Sequence, residues 1–217
     1  MTTTAPLFPL PNVVFFPRTK LPLHIFEPRY RQLMRDALDA DRRMAIALLR
    51  PGWEANYYGN PPVHEICCVG RIESFEELED GKFNLLLAGE EKIRIESVIR
   101  DLPYRTVAAT ILTDRTPDSA ALAEQRTHLL ALATDFFELS TQGKLDLSAL
   151  QTLDHEALTN SLAAHLGLPI EHKQQLLEMD DLEQRGKQVA RFLQTQIQEQ
   201  RVIRQFQHLA PKDPTRN

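Results

Sequence analysis

The sequence predicts an α+β protein. Residues 1–117 form a β-rich segment with one inserted helix, residues 118–210 an all-α helical bundle ending in a long helix, and residues 211–217 a flexible tail. Three observations lead there. Eleven of the 14 prolines lie at or before Pro117, and between 118 and 210 only Pro169 remains. The first half sets β-branched runs between Pro and Gly, whereas the second is rich in Leu, Ala and Gln, the residues of helices. Thr116-Pro117-Asp118 adds a helix-start signal at the point where composition changes. Strand runs followed by helix runs are the pattern of α+β proteins.

The elements follow in order. Phe8 to Phe16 is apolar but broken by Pro9 and Pro11, which suits an edge strand. Leu21 to Phe26 alternates as a short strand. Pro28 fits the first turn of a helix, where its missing N–H costs nothing, and Tyr30, Leu33, Met34, Ala37 and Leu38 follow at helical spacing. Met44 to Leu49 is a compact apolar strand stopped by Pro51-Gly52. Trp53 to Pro62 reads as a long surface loop. Val63 to Leu78 and Phe83 to Ala88 form a hairpin around Asp80-Gly81. Two more strands are expected over 92–99 and 104–113. Six or seven strands around one helix suggest a small, partly closed barrel, in which Phe15, Phe16, Leu23, Ile25 and Phe26 are core by spacing.

In the second half, Asp118 or Ser119 caps a helix with the stripe Leu122, Leu129, Leu130, Ala133, Phe136 and Phe137. Asp154 caps a second, with Leu158, Leu162 and Leu166, ended by Gly167 and Pro169. A third runs from Pro169, with a break around Asp180, through Leu182, Val189, Leu193 and Ile197 to Phe206.

Composition narrows the function. Hydrophobic residues make 42% and charged residues 25% of the chain, which excludes collagen-like, disordered and disulfide-scaffold classes. The net charge of −5 gives no general attraction to nucleic acid or acidic membranes. Two adjacent cysteines, Cys67 and Cys68, cannot build a disulfide framework, so a reducing compartment is expected. No apolar run approaches the ~20 residues of a membrane span, and the N-terminus lacks a secretory pattern. The expected location is the cytoplasm.

The stretch Leu7 to Leu38 resembles the opening of the Lon protease N-terminal domain. It has a Pro-punctuated strand, an apolar-Phe-Pro step, a Pro-Leu-apolar-Phe strand, and Phe26-Glu27-Pro28-Arg29-Tyr30 intact. Val69-Gly70-Arg71-Ile72, the Asp80-Gly81 turn, Gly89 to Ile95, Gly167-Leu168-Pro169 and Lys173 to Glu178 extend the likeness over nearly the whole chain. Arg18 departs from it, since a Gly often follows the Phe-Pro. The resemblance implies a PUA-like β-pseudobarrel followed by a helical bundle, and a non-catalytic role in recognising protein substrates. In the full proteases an ATPase module and a Ser/Lys peptidase module follow. This chain ends before either could begin, so a standalone, ATP-independent recognition module is expected. Its expected partners are unfolded or specific protein segments, with a protease or chaperone acting in trans.

Catalytic signals are weak. There is no G-x-x-x-x-G-K-[ST] loop, and none of the six serines sits in G-x-S-x-G. His64-Glu65-Ile66-Cys67-Cys68 falls short of H-E-x-x-H and lies in a strand, whereas zinc needs three or four convergent ligands. No catalytic, cofactor or metal residues are therefore expected, and the cysteines read as a buried structural pair. The candidate partner-binding residues are Trp53, Tyr57, Tyr58, Arg29 and Tyr30. The three loop aromatics are hard to bury together and are favoured contact types. The competing reading has the loop docked on the barrel, Glu27 capping or charging the helix start, and Arg29 and Tyr30 tying helix to barrel. Two other functions compete: a PUA-like nucleic-acid binder, which the charge disfavours, and a hydrolase with an unrecognised site. The basic residues of the last helix are separated by glutamines and suit a solvated face.

Overall fold

The structure, a computed structural model, describes residues 1–57, 59–116, 119–141 and 147–206. The expected cap Asp118 and the tail lie outside the described residues. Among the described residues six strands are formed: β1 (Thr2–Leu10), β2 (Lys20–Ile25), β3 (Arg43–Leu48), β4 (Ile66–Glu77), β5 (Phe83–Arg100) and β6 (Thr106–Leu112). The helices are α1 (Pro28–Asp39), α2 (Ser119–Thr141), α3 (Ser148–Gln151), α4 (His155–His165), α5 (Ile170–Glu178) and α6 (Leu182–Phe206). No described helix is long and apolar enough to cross a membrane. The chain forms two compact units. Met1–Arg115 and Asn160–Leu182 make the first, and Thr116–Thr159 and Glu183–Asn217 the second.

The sheet of the first unit has the order β2-β5-β4-β3-β1-β6, and β5 pairs with β6 as well. The five strands from β5 to β6 thus close a ring, with β2 laid along the outside of β5's first half. Closure gives every ring strand two neighbours, each paired over part of its length. Period-2 alternation divides their side chains between two interiors. Ala5, Leu7, Ala45, Ala47, Cys67, Val69, Ile93, Val107 and Ala109 cluster on one side. These small residues fit the narrow inside of a small barrel. Phe8, Met44, Ile46, Cys68, Ile72 and Leu85 point the other way and pack with Tyr30, Leu33, Met34 and Ala37 of α1. The helix therefore lies against the ring's outer face; strands do not surround it. The adjacent cysteines fall in different clusters, as neighbours on one strand must.

The pieces expected as strands 83–88 and 92–99 are a single strand. Its first half, Phe83 to Ala88, pairs with β2, and from Lys92 onward it pairs with β6. The change occurs at Gly89, which faces Gly70 of β4 beside a register shift. The loop between β1 and β2 crosses here. Arg18 N–H donates to Gly89 O and Gly89 N–H to Thr19 O, both at 2.8 Å. A Cβ on Gly89 would lie 2.2 Å from the Phe16 carbonyl oxygen, and one on Gly70 2.7 Å from the Phe15 ring. Arg18 has φ 62°, the left-handed region that glycine adopts most easily.

The first strand also differs from expectation. It ends at Leu10 and is interior, while Val14, Phe15 and Phe16 are buried in the following loop. The prolines are tolerated because pairing is divided along it. Thr2 to Pro6 pair with β6, and Leu7 to Leu10 pair with β3.

The second half of the sequence is shared between the units. In the first, Asn160 Nδ2 donates to Pro17 O at 3.1 Å, and Gln174 Nε2 on α5 donates to Ile66 O at 2.9 Å. Lys92, only 3% exposed, pairs with Asp114 and donates to Met179 O at 2.7 Å. Beside it Arg115 and Asp181 form a parallel bridge, with Arg115 N–H donating to Asp180 O at 2.6 Å.

In the second unit Leu129, Ala133, Leu158, Val189, Leu193 and Ile197 are buried. Asp154 caps α4 as expected, its Oδ1 accepting from Ala157 N–H at 3.0 Å. Gln125 Nε2 donates to Glu183 O, which orients its amide so that Oε1 accepts from His155 Nε2–H at 2.6 Å. His155 Nδ1 is then a buried acceptor with no hydrogen-bond partner. Burial holds this imidazole below its ordinary pKa; Asp154 opposes the shift, and Arg185 and Arg126 add to it.

Gly89→Ala is expected to lower stability by about 2–3 kcal/mol in urea unfolding, because the neighbour it meets is backbone. His155 generates a pH dependence. The unfolded chain takes up the proton first as pH falls below about 6.5, so this contribution is complete above that value and lost below it. Urea unfolding at pH 7 and pH 5.5 should show a smaller acid loss for His155→Gln than for the wild type.

Candidate functional site

The end of β2, the start of α1 and the 50–62 segment converge on one place. Ile25 is buried, so alternation turns His24 and Phe26 outward. Phe26 is 56% exposed, against the expectation that it belongs to the core. The two rings stack at 6.2 Å, and His24 Nδ1 is 2.8 Å from Asn84 Oδ1. Pro28 then starts α1 with its φ preset for the helix.

Glu27 precedes that proline without capping the helix by its side chain. Its carboxylate instead accepts from Arg29 Nε at 3.1 Å and from the Tyr57 hydroxyl at 2.9 Å. Arg29 spends its remaining nitrogens on the segment: Nη1 donates to Gly59 O at 3.0 Å and Nη2 to Tyr57 O at 3.3 Å. One guanidinium fork thus fixes the segment's backbone against the helix start, a geometry that suits Arg better than Lys. Its carbon also sits 4.6 Å from the centroid of the Tyr30 ring, which packs 4.5 Å from Phe8. Burial pushes the Tyr30 phenol up to about 12, so it stays a protonated donor.

These groups border a pocket of about 100 Å³, walled by Phe8, Pro9, Leu23, Phe26, Tyr57 and Pro61. Glu27, Arg29, Tyr30 and His24 also line it. Of the residues expected from sequence, Arg29, Tyr30 and Tyr57 therefore come together. Trp53 does not line the pocket; it starts a 3-10 turn after Gly52 and packs on Tyr57 with centroids 5.5 Å apart. Tyr58 lies outside the described residues. Sequence reasoning missed Phe26, and the signal was present: alternation that buries Ile25 must expose its neighbour.

A largely apolar, aromatic concavity with a few fixed polar groups is suited to non-covalent binding. Burial pushes the Cys67 thiol up to about 12 and Cys68 well above its ordinary value, so neither is a ready nucleophile. Among the described residues, no group of three or more His, Cys, Asp or Glu side chains is placed to hold a metal ion.

Comparison with known proteins gives a consistent result. A family model described as the ATP-dependent protease La (LON) substrate-binding domain matches residues 4–195. Lon protease 2 of Herpetosiphon aurantiacus is 26% identical over 198 residues, 90% of this chain and 24% of that protein. Lon protease of Escherichia coli strain K12 is 25% identical over 201 residues, again about a quarter of its length (25%). Two solved structures share the fold. The Lon N-terminal domain protein from Xanthomonas campestris has a TM-score of 0.61 at 23% identity, covering 86% of this chain and 96% of that one. The N-terminal domain of Mycobacterium avium complex Lon protease has a TM-score of 0.63 at 16% identity, covering 88% and 98%.

Arg29→Ala is expected to loosen the backbone at Tyr57 and Gly59 and cost about 1–3 kcal/mol, since it takes the charged donor from two carbonyls and one of two donors from a half-buried carboxylate. Arg29→Lys should recover only part of this. Urea unfolding measures the loss, and limited proteolysis within 50–62 should accelerate in parallel.

Proposed function

Because the chain belongs to the ATP-dependent protease La (LON) substrate-binding domain family, we propose that it is a non-catalytic recognition module that binds exposed polypeptide segments. The observation that carries this reading is the pocket at the start of α1, with Phe26 exposed at its margin. An exposed large aromatic beside an apolar concavity is the surface that an unfolded segment with its own apolar side chains would cover. Glu27, Arg29 and Tyr57 serve as the frame that keeps the concavity open. Affinity should be modest, because the pocket takes about one side chain and the bound segment loses freedom.

A permanently unfolded, reduced and carboxymethylated protein carrying a fluorescent label provides the test. The chain should raise its anisotropy, and the folded form of the same protein should not. Phe26→Ser should weaken binding about fivefold or more while leaving the melting temperature nearly unchanged, since the side chain is already largely in water. Equal binding by wild type and variant would place the surface elsewhere.

A further inference from the structure

β2 is the end strand of the sheet and has one neighbour, β5. Its register runs from Lys20 opposite Ala88 to Ile25 opposite Phe83, and one step beyond Lys20, Gly89 N–H donates to Thr19 O at 2.8 Å. Bonded pairs alternate in an antiparallel ladder. Leu21, Leu23 and Ile25 are therefore bonded to β5, and Lys20, Pro22 and His24 turn their backbone groups away from it. Pro22, which has no N–H, fits only that outward set. Among the described residues no other backbone group bonds to these three, and all three are exposed. The free side of β2 is thus a row of main-chain groups: N–H and C=O at Lys20, C=O at Pro22, N–H and C=O at His24.

The pocket at the start of α1 lies along that same side. Its walls include Leu23 and His24 of β2 but no residue of β5. A strand laid beside β2 at the usual spacing of about 4.8 Å sends alternate side chains to the face that Leu23 occupies. There Leu23 shares the apolar wall of the pocket with Phe8 and Phe26. Edge and pocket together have the two parts of a strand-addition site: main-chain bonds that hold any extended sequence, and a recess that selects a side chain.

We propose that an unfolded polypeptide segment docks on this edge in extended form, its backbone pairing with Lys20, Pro22 and His24 and one of its side chains entering the pocket. This inference rests on the reading of the pocket as a polypeptide site and adds the part of the ligand that reading leaves out, the main chain. A folded protein has its peptide groups already paired in its own helices and sheets, so the edge rejects it on grounds the pocket alone does not supply. A second copy of this chain is the poorer occupant. Two β2 edges bring two prolines and lose two donors, whereas an ordinary segment loses one.

Amide hydrogen exchange followed by NMR on the full chain, with and without the reduced, carboxymethylated unfolded protein, reads the backbone directly. Saturation should slow exchange of the Lys20 and His24 N–H groups about tenfold or more, with Leu21 and Leu23, already bonded to β5, little changed. Two variants then alter the edge without touching the ladder. Pro22→Val adds the missing donor and should tighten binding of the labelled protein about threefold. His24→Pro removes a donor and should weaken binding about fivefold relative to His24→Ala, which keeps the N–H. Unchanged exchange at Lys20 and His24 while the unfolded protein still binds would overturn strand addition and leave the pocket reading standing. Equal binding by His24→Pro and His24→Ala would do the same. If His24→Pro does not fold, Pro22→Val decides, and no gain in affinity there would overturn the proposal. Protection of the same amides on raising the protein's own concentration, with a doubled mass in sedimentation, would assign the edge to a second copy instead. Absence of any binding by the unfolded protein would remove the broader reading and this inference with it.

Discussion

The close crossing at Gly70 and Gly89 is the constraint on which the first unit depends. One strand, β5, has to serve two neighbours in succession, β2 and then β6. At the changeover the loop carrying Phe15 and Phe16 passes so near that only hydrogen fits where a side chain would stand. If the strands could not approach there, β5 would have to end, and both ring closure and the seat of β2 would be lost. Two hydrogen bonds between the loop and Gly89, one donated by Arg18 N–H and one by Gly89 N–H, take the place of the ladder bonds interrupted at the bend.

The pocket is a downstream result of that geometry. With β2 fixed along the first half of β5, its last residues emerge beside the end of β1, and Pro28 turns the chain into α1 there. Glu27 is consequently held between a helix that does not need its carboxylate and a segment that does. Loops placed by a rigid scaffold often carry function. Here the scaffold holds the segment through Arg29, which bonds the Tyr57 and Gly59 carbonyls, and through Glu27, which accepts from the Tyr57 hydroxyl, so the shape of the pocket and the attachment of these two residues are the same physical fact.

Much of this was legible in the residues. Local signals worked where the cause is local: Pro28 at a helix start, Asp80-Gly81 at a hairpin, Asp154 at a cap. Of the candidate residues, Arg29, Tyr30 and Tyr57 do meet at one pocket. What failed was non-local. Pro9 looked like an edge signal because a sequence does not reveal that β1 changes partners halfway. Gly89 looked like a break because its partner across the crossing is more than seventy residues away. The assignment of 160–182 to the barrel unit depends on contacts such as Gln174 with Ile66, which helical periodicity does not encode.

Lys92 acts on the covalent path of the chain. Its ammonium joins β5 to Asp114, where the chain leaves the barrel unit, and to Met179, just before it leaves again. The Arg115–Asp181 bridge lies between these points and runs parallel. Tension applied through residue 116 or residue 183 therefore meets both exits together. It must shear a short parallel pairing and a buried ion pair at once, and cannot peel one exit before the other. Mechanically the two exits behave as one anchor, so a pull on the helical segments would be borne at Lys92 before it reached the ring.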